Sequence, residues 1–190
     1  VARQGAMSEP RKRRWLILSH AYNVDGRAES VTITDKIPHL LAAGIEPVVF
    51  SSVMGQPDPQ VTHVQMLPWG PAGIRFEQGQ LEVRDCIFEN NQNGILTANF
   101  EDAELRVLNS VFSKAPQDTT ALHHLLYVGR IKSLVVEGSR FHQGYQGHLL
   151  KSRARRNEIR YNLLLDGLHG AASYELEFPE GGSALVVGEH

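Results

Sequence analysis

The chain has 190 residues, of which 42% are hydrophobic and 21% charged, and its formal net charge at pH 7 is −2. This composition excludes a chain that is disordered throughout, and the charge gives no overall attraction to nucleic acid or to an anionic membrane. The single cysteine, Cys86, excludes an internal disulfide, and no apolar run approaches the roughly 20 residues of a membrane span.

The N-terminus predicts a disordered tail over residues 1–10 and carries no signal peptide. The basic run Arg11–Arg14 is followed by only four apolar residues before Ser19. We therefore expect a cytoplasmic protein from the sequence as written, and an extracellular one if the true N-terminus is missing.

Residues 11–76 predict an incomplete Rossmann-like βαβ segment. The pattern indicates a strand at Trp15–Ser19, a helix from about Thr32 to Ala43, a strand at Pro47–Ser51 and a short strand at Val61–Leu67. The polar loop before the helix is a candidate anion-binding loop, because backbone amides at a helix start and a nearby arginine attract anions. Its candidate residues are Asp25, Gly26 and Arg27. Ordinary capping and turn chemistry is the alternative.

The amino-acid sequence of this segment also resembles that of a known protein family. RKRRWLILSHAYNVDGRAESVTITDKIPHLLAAGIEPVVFSS and then LPWGPAGIRF resemble the extreme N-terminus of glycosyltransferases with the two-domain GT-B fold. The resemblance implies that the loop faces an inter-domain cleft, with Asp25, Gly26 and Arg27 near the acceptor or a nucleotide phosphate.

From residue 77 onward the chain repeats one short phrase, in which a β-branched residue is followed five positions later by a large apolar residue. The copies are Val83–Phe88, Val107–Phe112, Val136–Phe141 and Ile159–Leu164, and a fifth begins at Val187. The starts lie 24, 29, 23 and 28 residues apart, which is the length of one solenoid coil. Residues 77–190 therefore predict a partial right-handed parallel β-helix of about four coils, and the chain as a whole a mainly β fold.

Each phrase is interpreted as a strand that is followed by a polar turn and a second strand. Alternation along the second strands places Leu96, Leu126, Leu150 and Tyr174 inward, with His124 and His148 as an inward pair bonded to each other or to the backbone. The outward row would contain Thr97, Tyr127, Lys151 and Glu175. No metal site is predicted, and Cys86 is expected to be an inert core residue.

Right-handed parallel β-helices are common among carbohydrate-active proteins, and residues 77–190 resemble that class. KSRARRNEIRYN, residues 151–162, looks like the segment of chondroitinase-B-type polysaccharide lyases that carries their catalytic lysine. The resemblance implies that Lys151 takes the proton α to a uronate carboxylate. An ion pair between Lys151 and Glu175 is the structural alternative. The family uses calcium, but the strand HLLYVG offers no carboxylates for it, so no cofactor is expected.

The resulting hypothesis is a module that recognises or processes polysaccharide through the outward strand face. An active form would be a lyase or a hydrolase, and less plausibly a glycosyltransferase. The expected partner is a polysaccharide or acidic glycan, and no membrane partner is expected. Nucleic acid is not expected either, because no aromatic residues interleave with the arginines of residues 153–160. Self-association through an uncapped C-terminal coil is also expected.

Two alternatives remain open, namely a truncated glycosyltransferase segment and an inactive fusion of two gene fragments. The predicted catalytic residues are Lys151, Arg153 and Glu175, and the predicted substrate-binding residues are Tyr127, Arg130, His148 and Glu177.

Overall fold

The computed structural model describes residues 13–24, 33–53, 56, 58–65, 72–117 and 122–188. This part of the chain is mainly β with parallel sheets, as the sequence predicted, and its paired strands are parallel except for one pair. The elements are β1 Arg13–Ala21, α1 Ile37–Ala42, β2 Ile45–Val53, β3 Thr62–Gln65, β4 Ile74–Gln78, β5 Gln80–Arg84, β6 Ile87–Glu89, β7 Ile95–Thr97, β8 Glu104–Leu108, β9 Val111–Ser113, β10 Leu126–Val128, β11 Ser133–Glu137, β12 Arg140–His142, β13 His148–Ser152, β14 Arg156–Arg160, β15 Leu163–Leu164, β16 Tyr174–Glu177 and β17 Ser183–Val187.

The N-terminal segment pairs β1, β2 and β3 in parallel, with α1 between β1 and β2 in the chain. Tyr22, Ile37, Val49 and Val61 are buried together as its core. The α-helix α1 begins at Ile37, and the predicted start at Thr32 lies outside the described residues. Pro38 lies in its first turn, where a residue without a backbone N–H is tolerated, so Pro38 marks the start of the helix.

The strand β4 connects this segment to the rest of the chain. It pairs antiparallel with β3 on one side and parallel with β7 on the other. A single eight-stranded sheet therefore runs in the order β1-β2-β3-β4-β7-β10-β13-β16. Hydrogen bonding continues across the boundary that the sequence predicted at residue 76.

From β4 onward each circuit of the chain adds one strand to each of three sheets. The second sheet has the order β17-β14-β11-β8-β5 and the third the order β15-β12-β9-β6. The sequence predicted two strands for each coil, and this was wrong because the repeated phrase spans a corner between two strands. Its third residue has a left-handed backbone, with φ of 55° at Asp85, 48° at Asn109, 62° at Gly138 and 54° at Tyr161.

The repeat itself is in register, as predicted. Val83, Val107, Val136 and Ile159 pair along the second sheet, and Phe88, Phe112, Phe141 and Leu164 pair along the third. The fifth copy begins at Val186, which pairs with Ile159, and not at Val187. Because the two valines are adjacent and no apolar residue follows them, the sequence did not indicate which valine begins the copy.

A polar row explains why the fourth position of the phrase is small or polar. The Cys86 backbone N–H donates to Ser110 Oγ at 3.2 Å, and the Ser110 N–H donates to Ser139 Oγ at 3.1 Å. The Ser139 N–H in turn donates to Asn162 Oδ1 at 2.9 Å. At these three corners the amide that follows the left-handed residue is thus satisfied by a side chain of the next coil, and not by a backbone carbonyl.

The predicted surface for self-association corresponds to the last strand of the second sheet. The side chains of β17 are exposed, including Leu185, Val186 and Val187. Self-association through this surface stays a prediction.

Candidate functional site

The outer face of the eight-stranded sheet brings together most of the residues that the sequence predicted. The observed outward row contains Leu96, Tyr127, Lys151 and Glu177, which follow one another across β7, β10, β13 and β16. The predicted inward row was correct at Leu126 and Leu150, which pair with Ile95 and Leu176.

Three members of the predicted rows were wrong, namely Leu96 and Tyr174 in the inward row and Thr97 in the outward row. Glu175 is exposed as predicted, but it is not the residue that pairs with Lys151. Thr97 is buried, and its hydroxyl accepts the Gly129 N–H at 2.8 Å. The run Ile95-Leu96-Thr97 has no polar alternation, so it gave no signal for its inward face. Tyr174 is exposed and pairs with His148, while Glu175 is exposed two residues before the partner of Lys151. The alternation of β16 defines its two faces, but it does not show which residue of a face stands beside Lys151.

A partly buried ion pair lies at the centre of this face. Lys151 Nζ is 2.8 Å from Glu177 Oε2, and His148 Nε2 is 2.7 Å from the same oxygen. The Lys151 side chain is only 15% exposed. The hydrogen bond from Lys151 lowers the pKa of Glu177, so the carboxylate is ionised at neutral pH. The arrangement suits a side chain that binds an anion better than one that takes a proton, because a general base would have to leave this ion pair.

The two histidines form a pair on this same face, with their rings tilted by 54° relative to each other. The His148 backbone N–H donates to His124 Nδ1 at 2.9 Å, and the ring centroids are 4.8 Å apart. The prediction that the pair hydrogen-bonds to each other or to the backbone is confirmed for the backbone, but the prediction that both rings point inward is wrong. The His124 ring stacks on Tyr127 at 5.1 Å, and the His148 ring contacts Glu177. Burial lowers the pKa of His124 to about 4, which keeps the ring neutral and its Nδ1 available as an acceptor.

Arg153 connects the ion pair to a second carboxylate. Its guanidinium carbon lies 5.2 Å from the centre of the Tyr127 ring, and its Nη1 contacts the Tyr127 hydroxyl. Its Nε is 3.1 Å from Glu180 Oε1. Arg130 donates two hydrogen bonds to the same carboxylate, from Nε to Oε2 at 2.7 Å and from Nη2 to Oε1 at 2.8 Å.

The structure also separates residues that are close in sequence. Of the five cations between residues 151 and 160, Lys151 and Arg153 lie on the outer face of the eight-stranded sheet. Arg156 and Arg160 both contact Glu158 on the five-stranded sheet, and Arg155 donates to the Glu101 carbonyl. The basic run is therefore not one continuous patch.

Sequence reasoning assigned no role to Glu180 and placed His124 and Tyr174 in the core. Glu180 lies in the turn between β16 and β17, where its charge resembles that of any solvated turn residue. A periodic pattern of paired charges could not have shown its contact with Arg130, since the two residues are 50 positions apart. The predicted loop residues Asp25, Gly26 and Arg27 lie outside the described residues.

Comparison with known proteins gives no family. No protein-family model, curated protein or solved structure matches the chain. Within the described residues there is no group of three or more His, Cys, Asp or Glu side chains that could hold a metal ion. No helix in that part of the chain combines the length and apolarity that crossing a membrane requires.

Proposed function

We propose that this chain is a right-handed parallel β-helix module that binds an acidic polysaccharide along the outer face of its eight-stranded sheet. The β-helix interpretation is supported by the regular passage of the chain through three parallel sheets, and the right-handed sense by the strong preference of parallel crossovers. The binding proposal depends chiefly on one observation, the Lys151–Glu177–His148 cluster beside the Tyr127–Arg153 pair.

The geometry of this face suits an extended polymer. Strands of a sheet lie about 4.8 Å apart, so a chain crossing them meets a new side chain at each coil. Along the row it would meet Tyr127, then Lys151, then Glu177. The aromatic ring offers an apolar surface to a sugar ring, Lys151 offers a charge to its carboxylate, and His148 and Glu177 offer hydrogen bonds.

The cationic donor groups of this face favour an acidic ligand over a neutral one. The positive charges of Lys151, Arg153 and Arg130 lie beside the negative charges of Glu177 and Glu180, and the exposed Glu175 shares a face with Glu177, so the formal charges balance. His124 adds no charge at neutral pH because burial lowers its pKa. The guanidinium and ammonium groups beside the aromatic ring favour a polymer with regularly spaced carboxylates or sulfates, because they donate charge-assisted hydrogen bonds to such groups.

The test is binding to immobilised polygalacturonate, with uncharged dextran as the comparison polymer. We expect the native protein to bind polygalacturonate in low salt, and Lys151→Gln to weaken binding about tenfold or more, since a charge-assisted hydrogen bond contributes roughly 1.5–3 kcal/mol. The double variant Lys151→Gln/Glu177→Gln is expected to stay weak, although its net charge equals that of the native protein.

Lys132→Gln is the matched control. Lys132 also pairs with a glutamate, Glu104, at 2.5 Å, but it lies beside the five-stranded sheet. Equal losses in Lys132→Gln and Lys151→Gln would indicate a general charge effect and contradict the proposed face. Failure of the native protein to bind polygalacturonate more tightly than dextran would contradict the choice of an acidic ligand.

A further inference from the structure

A small pocket beside the proposed polysaccharide face has the features of an anion subsite. It has a volume of about 150 Å³ and lies where the end of β10, the end of β13 and the turn after β16 meet. Its lining includes Arg130, Arg153, Arg155 and Glu180, with the buried side chains of Ile131 and Ala154. An apolar base with charged groups at the rim strengthens the electrostatic interactions inside a pocket.

The guanidinium groups outnumber the carboxylates around this pocket. Three arginines face Glu180 and Glu101, and the contact with the Glu101 carboxylate is long, at 3.8 Å from Arg155 Nη1. Glu180 is therefore the carboxylate that engages the cations closely. It accepts the two-pronged hydrogen bonds of Arg130 and a third contact from Arg153. This is the geometry with which arginine binds carboxylate, sulfate and phosphate groups.

Glu180 lies in a turn from which its side chain can be displaced out of the pocket. It belongs to the turn that the Gly181 N–H closes onto the Phe178 carbonyl at 3.1 Å, and its side chain is 34% exposed. The two following glycines both have left-handed backbones, with φ of 72° and 89°. Gly182 approaches the Arg155 carbonyl so closely that a Cβ would lie 2.8 Å from it, so the turn lies against the pocket wall.

We infer that the pocket between Arg130, Arg153 and Arg155 binds an anionic substituent of the polysaccharide, a sulfate ester or a carboxylate, and that Glu180 occupies this subsite until the ligand displaces it. The inference rests on the proposed function, because Arg153 joins the pocket to Tyr127 on the proposed face. It adds the identity of the group that is recognised and a residue that competes with it.

Neutralising Arg130 and neutralising Glu180 are expected to change the affinity for the charged polymer in opposite directions, although the two residues form one ion pair. Removing the charge of Arg130 with Arg130→Gln is expected to weaken binding of the charged polymer about tenfold, because the two-pronged hydrogen bond is lost. Removing the charge of Glu180 with Glu180→Gln is expected to strengthen binding by about threefold or more, because the competing carboxylate is weakened.

The experiment measures affinity by calorimetry for three polymers that differ in their charged group. Polygalacturonate carries carboxylates only, dextran sulfate carries sulfates only, and dextran carries neither. The controls are Arg106→Gln and Glu104→Gln, which make the same charge changes in ion pairs beside the five-stranded sheet. A gain in Glu180→Gln for dextran sulfate alone assigns the subsite to sulfate, and a gain for polygalacturonate alone assigns it to carboxylate.

Two results would overturn the inference while leaving the proposed function intact. The first is polysaccharide binding that depends on Lys151 but is unchanged in Arg130→Gln and Glu180→Gln. The second is a gain in Glu180→Gln no larger than that in Glu104→Gln, which would reflect net charge alone.

A titration with sodium sulfate, compared with sodium chloride at equal ionic strength, does not depend on polysaccharide binding. The Arg130 side-chain NMR signal is expected to shift with sulfate in Glu180→Gln, and an unchanged signal would count against the pocket itself.

Discussion

Replacing Phe112 with alanine is expected to lower the free energy of unfolding by about 3–5 kcal/mol, the usual cost of removing a fully buried aromatic side chain. Phe112 is completely buried, and its ring is stacked between Phe88 at 4.7 Å and Phe141 at 4.8 Å. The substitution removes both stacking contacts and leaves a cavity between two coils. Urea unfolding at equilibrium, followed by circular dichroism, measures this loss.

The variant Phe112→Leu is the control for this prediction. Leu164 occupies the same position of the stack two coils later, where it pairs with Phe141. Leucine therefore fits this row, and Phe112→Leu is expected to lose less than half as much stability as Phe112→Ala, because it restores most of the apolar volume. Equal losses in the two variants would mean that Phe112 contributes something other than packing to the stack.

Acid is expected to destabilise the fold through His124. Burial lowers the pKa of His124 from its ordinary 6.5 to about 4. Between these two values the unfolded chain takes up a proton that the folded protein does not, so stability falls as the pH falls through this window. The contribution of this one group is at most roughly 3 kcal/mol, and below about pH 4 it causes no further loss.

His124→Asn isolates this effect because it removes the titrating ring and supplies another acceptor. At the corresponding position one coil earlier, Asn93 Oδ1 already accepts the His124 N–H at 3.3 Å. We expect the stability of His124→Asn to fall less than that of the native protein between pH 7 and about pH 4.5. The substitution of exposed His169 by asparagine serves as the control.

Other titrating groups remain in both proteins. Burial also lowers the pKa of His63, and the hydrogen bond from Lys151 lowers that of Glu177, whose stabilising contribution is lost as the pH falls through that lowered value. These losses are shared, so the difference between the two proteins reports His124. Parallel stability curves for the native protein and His124→Asn would contradict the assignment.

Much of the fold was predictable because equivalent residues of successive repeats pack against one another. Val83, Val107, Val136 and Ile159 stack in register, and the stacked phenylalanines do the same. The third sheet was missed because a left-handed residue, such as Asn109, turns the chain inside a phrase only six residues long. Such a corner leaves no Gly or Pro signal when Asp, Asn or Tyr adopts it.

The candidate site was predictable in its residue types but not in its pairings. Tyr127 and Lys151 were predicted as neighbours and are neighbours. Their continuation depended on the register of β16, where Glu175 and Glu177 share a face and either could have followed Lys151. The Arg130–Glu180 contact depends on a turn folding back across two coils, which no local pattern encodes.

The most direct test of the proposed polysaccharide face is an NMR titration of the lysine side chains with an oligogalacturonate. Three lysines form ion pairs with glutamates on different parts of the coil, Lys151 with Glu177, Lys132 with Glu104 and Lys114 with Glu89. We predict that the Lys151 signals shift in proportion to bound ligand while those of Lys132 and Lys114 stay unchanged. Shifts at Lys132 or Lys114 with an unchanged Lys151 would contradict the proposed face.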